Sequence, residues 1–191
     1  MKWKKIATMT LVLTLVCGTA VFAESVSDNV RIVINKKELD DAGLIVDNKA
    51  YLAVSKFAGA MQAMLTWDND TKKVTIYKPN VHMLTMKDSV PFQSVPKDKY
   101  KFFVYAQIDS LKTSISAFKI TITDPYGEAT LIDARDSSDK NFPSDMDIFG
   151  IKTKDFTYDF KYAGTYVVRF LMKQDDGSGY QVVSEKVITA K

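Results

Sequence analysis

Phe156-Thr157-Tyr158-Asp159-Phe160-Lys161-Tyr162, followed through Ala163-Gly164 by Thr165-Tyr166-Val167-Val168-Arg169-Phe170, is the stretch that decides the fold. Aromatic and polar residues alternate with the period of two that a β-strand requires, Ala-Gly supplies a turn, and a β-branched and aromatic run follows. Outward from this hairpin-like unit, runs of the same kind occupy residues 101–108, 117–123, 129–134 and 180–188. Asp124-Pro125-Tyr126-Gly127, an Asp-rich loop at 133–147 and Asp175-Asp176-Gly177-Ser178-Gly179 separate them. Six or seven short strands at this spacing, without a helical period, predict a β-sandwich over residues 100–191. Phe156, Tyr158, Phe160 and Tyr162 share one strand face. That face is read as sandwich core, because each ring buries a large apolar area. An exposed row would instead be a sugar-stacking platform.

Residues 24–90 read differently. Val30, Ile32 and Ile34 alternate with polar neighbours, Asn35-Lys36-Lys37 turns into Glu38-Leu39, and residues 49–54 form another strand. Val54, Phe57, Ala58 and Met61 then recur at i, i+3, i+4 and i+7, the apolar stripe of one helix, with Ser55 as expected N-cap. Leu65-Thr66-Trp67, the turn Asp68-Asn69-Asp70-Thr71 and residues 73–78 complete a β-β-β-α-β-β outline. Pro91 and Pro96 interrupt the strand pattern, so residues 91–99 are expected to link two domains.

Two resemblances rest on these residues. Val33-Ile34-Asn35-Lys36-Lys37, Asn48-Lys49-Ala50-Tyr51-Leu52-Ala53-Val54, Phe57-Ala58-Gly59-Ala60 and Leu65-Thr66-Trp67-Asp68-Asn69-Asp70-Thr71-Lys72-Lys73-Val74-Thr75-Ile76 resemble, in that order, the copper amine oxidase N-terminal-like or stalk domain. Lys36 replaces that family's turn glycine, and Ala53-Val54-Ser55 its Val-Pro-Leu stretch. A partial second unit is expected at residues 81–90. The resemblance implies an antiparallel sheet around a helix, with Trp67 against Phe57 and Met61. It also implies an appended module rather than a catalytic one. The segment 162–170 is similar to the late-strand signature of immunoglobulin-like domains, which implies that Tyr166 is a buried corner tyrosine. The fold class expected is therefore mainly β with one helix: a stalk-like α+β module plus an immunoglobulin-like β-sandwich.

Residues 1–23 carry the features of an export signal. Lys2, Lys4 and Lys5 precede the uncharged run 6–16, which is too short to span a bilayer, and Val21-Phe22-Ala23 suits cleavage before Glu24. Cleavage removes three Lys and no acid from a chain with 26 basic and 23 acidic side chains, so the mature charge is zero. A neutral chain has no electrostatic case for nucleic acid, and no membrane span is expected in the mature protein. Cys17 leaves with the signal, or anchors a lipid if the signal is of that type.

Chemistry is sparse. The single histidine, His82, and no mature cysteine cannot assemble a structural zinc site, an oxidase copper centre or a cysteine nucleophile. Asp133, Asp136, Asp139, Asp145 and Asp147 are the calcium candidates, read by preference as a solvated loop because Arg135 and Lys140 lie among them. No enzyme activity and no cofactor are expected. The reading is an exported, envelope-associated binding or scaffold module for a cell-surface protein or polysaccharide. The alternative is a secreted protease inhibitor or accessory subunit acting through a sandwich loop such as residues 124–128.

Overall fold

A computed structural model describes residues 28–191. The expected export signal, Cys17 and the expected Ala23/Glu24 cleavage site lie outside the described residues. The fold is mainly β with a single α-helix among the described residues.

Short elements come first: β1 (Asp28–Asn29), β2 (Ile32–Ile34), β3 (Lys37–Leu39), β4 (Gly43–Val46), β5 (Lys49–Leu52), α1 (Val54–Ala60), β6 (Met64–Asp68) and β7 (Lys73–Tyr77). They pair antiparallel as β1-β4-β5, β2-β3 and β6-β7. Two-residue turns fix the register of two hairpins. Asn35-Lys36 and Asp47-Asn48 all have positive φ, the mirror-type turn whose twist matches the flanking strands. Lys36 therefore holds, at φ 65°, a conformation that glycine would adopt without steric cost. α1 begins after Ala53 with no side-chain cap bond, so Ser55 lies inside the helix rather than capping it.

The sandwich is built from β8 (Asn80–Lys87), β9 (Val90–Pro91), β10 (Ser94–Val95), β11 (Lys99–Asp109), β12 (Ile115–Thr123), β13 (Ala129–Asp136), β14 (Phe149–Lys152), β15 (Phe156–Asp159), β16 (Gly164–Gln174) and β17 (Gln181–Ala190). One sheet runs β14-β11-β8-β9, with β15 also on β11, and the other runs β10-β17-β16-β12-β13. The two sheets form a β-sandwich, with β8, β11 and β14/β15 facing β12, β16 and β17 across one core. Period two places Phe102, Val104, Ala106 and Ile108 of β11 opposite Phe118, Ile120, Ile122, Tyr166, Val168, Phe170 and Met172 in one buried core.

Three expectations change here. β8, assigned by sequence to the first module, pairs with β11 through seven residues from Phe103↔Met86 to Asp109↔Asn80, so it is the first strand of the sandwich. Residues 91–99 are not a free linker. Pro91 pairs with Met86, β10 lies parallel to the end of β17, and the Phe92, Thr189 and Lys191 amides bond across at 2.8–3.1 Å. The prolines read as linker punctuation because proline lacks an N–H, but an edge strand tolerates that loss.

The third concerns Trp67, Phe57 and Met61. All three are exposed, Trp67 by 55%, and the buried residue of α1 is Ala58. The cause is register. In the β6-β7 hairpin Met64 pairs with Tyr77 on the face that enters the sandwich core. The same alternation puts Leu65, Trp67, Val74 and Ile76 together on the opposite face. The hairpin is docked to the sandwich at its edge as well. The Gln181 carboxamide accepts from the Leu65 N–H at 2.7 Å and donates to the Leu65 carbonyl at 3.2 Å, imitating a neighbouring strand.

Candidate functional site

The end of the sandwich farthest along β16 from this docked hairpin is built around Tyr166. Its ring is 1% exposed and meets Phe160 edge-on at 4.9 Å and Tyr158 at 5.8 Å. Its hydroxyl donates to the Tyr162 carbonyl at 3.0 Å and accepts from the Tyr162 N–H at 3.1 Å. This is the corner geometry that the sequence implies, with one side chain clamping both backbone groups of a residue four positions earlier. Phe156, Tyr158 and Phe160 pack onto the core. Tyr162 does not share their fate. β15 ends at Asp159 and the Lys161 N–H bonds back to the Asp159 carbonyl, so the alternation stops and Tyr162 emerges 44% exposed.

Beside it stands the turn between β12 and β13. Asp124 Oδ1 accepts from the Tyr126 and Glu128 N–H groups at 2.9 and 2.8 Å, and the Asp124 N–H bonds the Glu128 carbonyl at 2.9 Å. Gly127 supplies the positive φ, 93°, that closes the turn. The two turns interlock, because a Cβ on Gly164 (φ 140°) would lie only 3.1 Å from Pro125 Cγ. Held this way, Tyr126 projects 78% exposed, the most of any large hydrophobic side chain among the described residues. Its ring meets that of Tyr162 at 4.8 Å and 84°, an L-shaped corner rather than a flat platform.

A cleft of about 170 Å³ opens next to this corner, lined by Asp124, Glu128, Thr130, Tyr158, Asp159, Lys161, Tyr162 and Tyr166. Three carboxylates face one ammonium. None of Asp124, Glu128 and Asp159 enters an ion pair among the described residues; Asp159 has Lys99 as its register partner across the β11-β15 pair. Burial holds the Tyr158 phenol above its ordinary value, against a Thr130 hydrogen bond that lowers it; Tyr166, Asp124 and Glu128 also raise it. The arrangement contains no nucleophile paired with a base. It can stack, attract positive charge and bond hydroxyl or amine groups.

The other sequence candidates lie apart from this end. Asp133 pairs with Arg135 at 2.9 Å and Asp147 with Lys112. Asp136 Oδ1 accepts from the Ser138 N–H, and Asp139 Oδ2 from the Asp136 N–H. Asp145 lines a separate groove beside Leu111 and Met146. Four of the five carboxylates serve their own neighbours, and among the described residues no three acidic, His or Cys side chains gather as a metal site. His82 is exposed on β8 opposite Gln107. Sequence reading missed the Tyr126–Tyr162 pair, although Asp124-Pro125-Tyr126-Gly127 was already legible as a turn that must display its third residue.

No curated protein matches the chain. The matched family is the non-catalytic N-terminal domain of an enzyme class, so the match brings no catalytic residues with it. Over residues 33–113, from within β2 to just past β11, the chain is similar to the copper amine oxidase N-terminal domain family.

Proposed function

We propose that this protein is a non-enzymatic binding or scaffold module, exported and held at the cell envelope, that engages a cell-surface protein or polysaccharide. The observation carrying this reading is the rigid aromatic end of the sandwich. Tyr126 is displayed by a fully hydrogen-bonded turn, braced by Tyr162, and tied to the core through Tyr166. Exposed aromatics held in one conformation lose little entropy on contact, the property that makes tyrosine effective at recognition surfaces. The lysine-rich start and cleavable run of residues 1–23 support export. A protease inhibitor needs a loop that lies extended across the protease, and the tight turn at residues 124–128 offers less support for that alternative.

The test is fractionation of the native host followed by affinity capture from the envelope fraction, with the wild-type protein and the Tyr126→Ala variant. Recovery in the envelope and capture lost with the variant are the expected results. A protein found wholly in the cytoplasm would overturn the reading.

A further inference from the structure

We infer that the Tyr126–Tyr162 corner with its acidic cleft recognises a positively charged side chain, lysine or arginine, presented by a segment of a partner protein. This rests on the binding-module reading and gives its ligand a chemistry. Two observations select that chemistry. First, the rings stand at 84° to each other, so they cannot lie together under one flat sugar ring. An ammonium or guanidinium can instead sit against the face of one ring while the other walls its side, where the negative π-face attracts it. Second, the adjacent lining holds Asp124, Glu128 and Asp159 against Lys161 alone. Lys99 is the register partner of Asp159, and Asp124 and Glu128, which enter no ion pair among the described residues, supply the rest of the anionic wall.

The backbone that carries these groups is held before any ligand arrives. The Asp124 carboxylate is positioned by two backbone N–H groups that end on Oδ1. Glu128 is at the far end of the same turn, and the Tyr162 backbone is clamped by Tyr166. A cation entering here meets an aromatic face and two carboxylates without the loops having to reorganise. The cleft, at about 170 Å³, is small and open to one side. It suits the end of one side chain, with the rest of the segment lying over Tyr126.

The experiment is an NMR titration of the isotopically labelled protein with tetralysine, with the same peptide acetylated on every Nε, and with chitohexaose as a neutral sugar. Tetralysine is expected to shift the Tyr126, Glu128, Lys161 and Tyr162 amides saturably, and acetylation to weaken binding at least about tenfold. Tyr126→Ala, whose side chain carries no burden in the core, is expected to stay folded and also lose about tenfold. Glu128→Gln should lose several-fold, with the loss shrinking as salt rises. The inference is overturned if chitohexaose shifts these amides more strongly than tetralysine, if no amide responds, or if tetralysine shifts are indifferent to Tyr126→Ala. Should envelope capture be lost with Tyr126→Ala while the tetralysine shifts are indifferent to it, the binding-module reading stands and only this inference fails.

Discussion

Tyr166→Phe removes one oxygen atom from the most constrained side chain of the sandwich, and its cost can be worked from the structure. The ring is buried and keeps its contacts with Phe160 and Tyr158, so no cavity term arises. What disappears is the pair of bonds to Tyr162, at 3.0 and 3.1 Å. An unpaired buried polar group costs about 1–3 kcal/mol, but Tyr162 is partly exposed and water can reach part of what is left. The net expectation is about 1–2 kcal/mol. For a protein of this size that corresponds to a fall in Tm of roughly 2–8 °C. Tyr166→Ala, which also empties the core site, should cost about 3–5 kcal/mol.

Equilibrium urea denaturation gives both values, with the m-value expected to stay constant if the native and unfolded states keep their compactness. Amide exchange at Tyr162 supplies the local readout, since its N–H loses its acceptor in Tyr166→Phe and should exchange faster. The variant should also weaken contacts made through Tyr126 without touching Tyr126, because the bracing ring of Tyr162 gains freedom. A Tyr166→Phe protein within about 0.3 kcal/mol of wild type, with Tyr162 protection unchanged, would refute the clamp.

Trp67→Ala is expected to cost at most about 1 kcal/mol, as for a surface position. In a Trp3→Phe background, which leaves Trp67 as the sole indole, acrylamide should quench native fluorescence efficiently; a blue-shifted, protected emission would contradict the register given for β6 and β7. Gln181→Ala removes the side chain that satisfies both Leu65 backbone groups and should destabilise the protein by about 1–2 kcal/mol, with faster exchange at the Leu65 amide. Unchanged exchange there would separate the hairpin from the sandwich. Asp68 is held below its ordinary value first by the Thr71 hydroxyl, then by the Thr71 N–H, with smaller help from the Asp70 N–H and Lys73. Its contribution is therefore present above the unfolded-state value and lost as pH falls through the depressed folded-state value. The β6-β7 turn amides should loosen only in that acidic window, and Asp68→Ala should abolish the transition; loosening at or above the ordinary carboxylate range would contradict the assignment.

Much of this fold is legible because period two is strong wherever one strand face is buried. The runs around Phe102, Ile120 and Val168 announce their strands within a few residues, and Tyr166 is legible through the resemblance of residues 162–170 to a late-strand signature in which an apolar residue, here Val168, follows two positions on. Pro91 and Pro96 mislead because a proline at a sheet edge and a proline in a linker look alike in sequence. β14 is hidden for another reason. Phe149-Gly150-Ile151-Lys152 is four residues long and contains a glycine, where an added Cβ would come to 3.0 Å from the Tyr105 hydroxyl of β11. Trp67 shows the limit of a pattern without a partner. The alternation of β6 is plain, but which face meets the sandwich is decided by Met64 entering a core whose members run from Met83 to Ala190. The candidate site is illegible for the same reason, since Tyr126 and Tyr162 meet only after β12, β13 and β16 are laid side by side.

Photo-cross-linking from position 126 in living cells is the most direct measurement of whether this end of the sandwich is a recognition surface. A benzophenone amino acid replaces Tyr126, and a second protein carries it at Thr157, exposed on β15. Discrete adducts with an envelope component from position 126, suppressed when Glu128→Gln is added and absent from position 157, are the predicted result. Adducts equally abundant from both positions, or none from position 126 while the protein remains folded in the envelope, would contradict it.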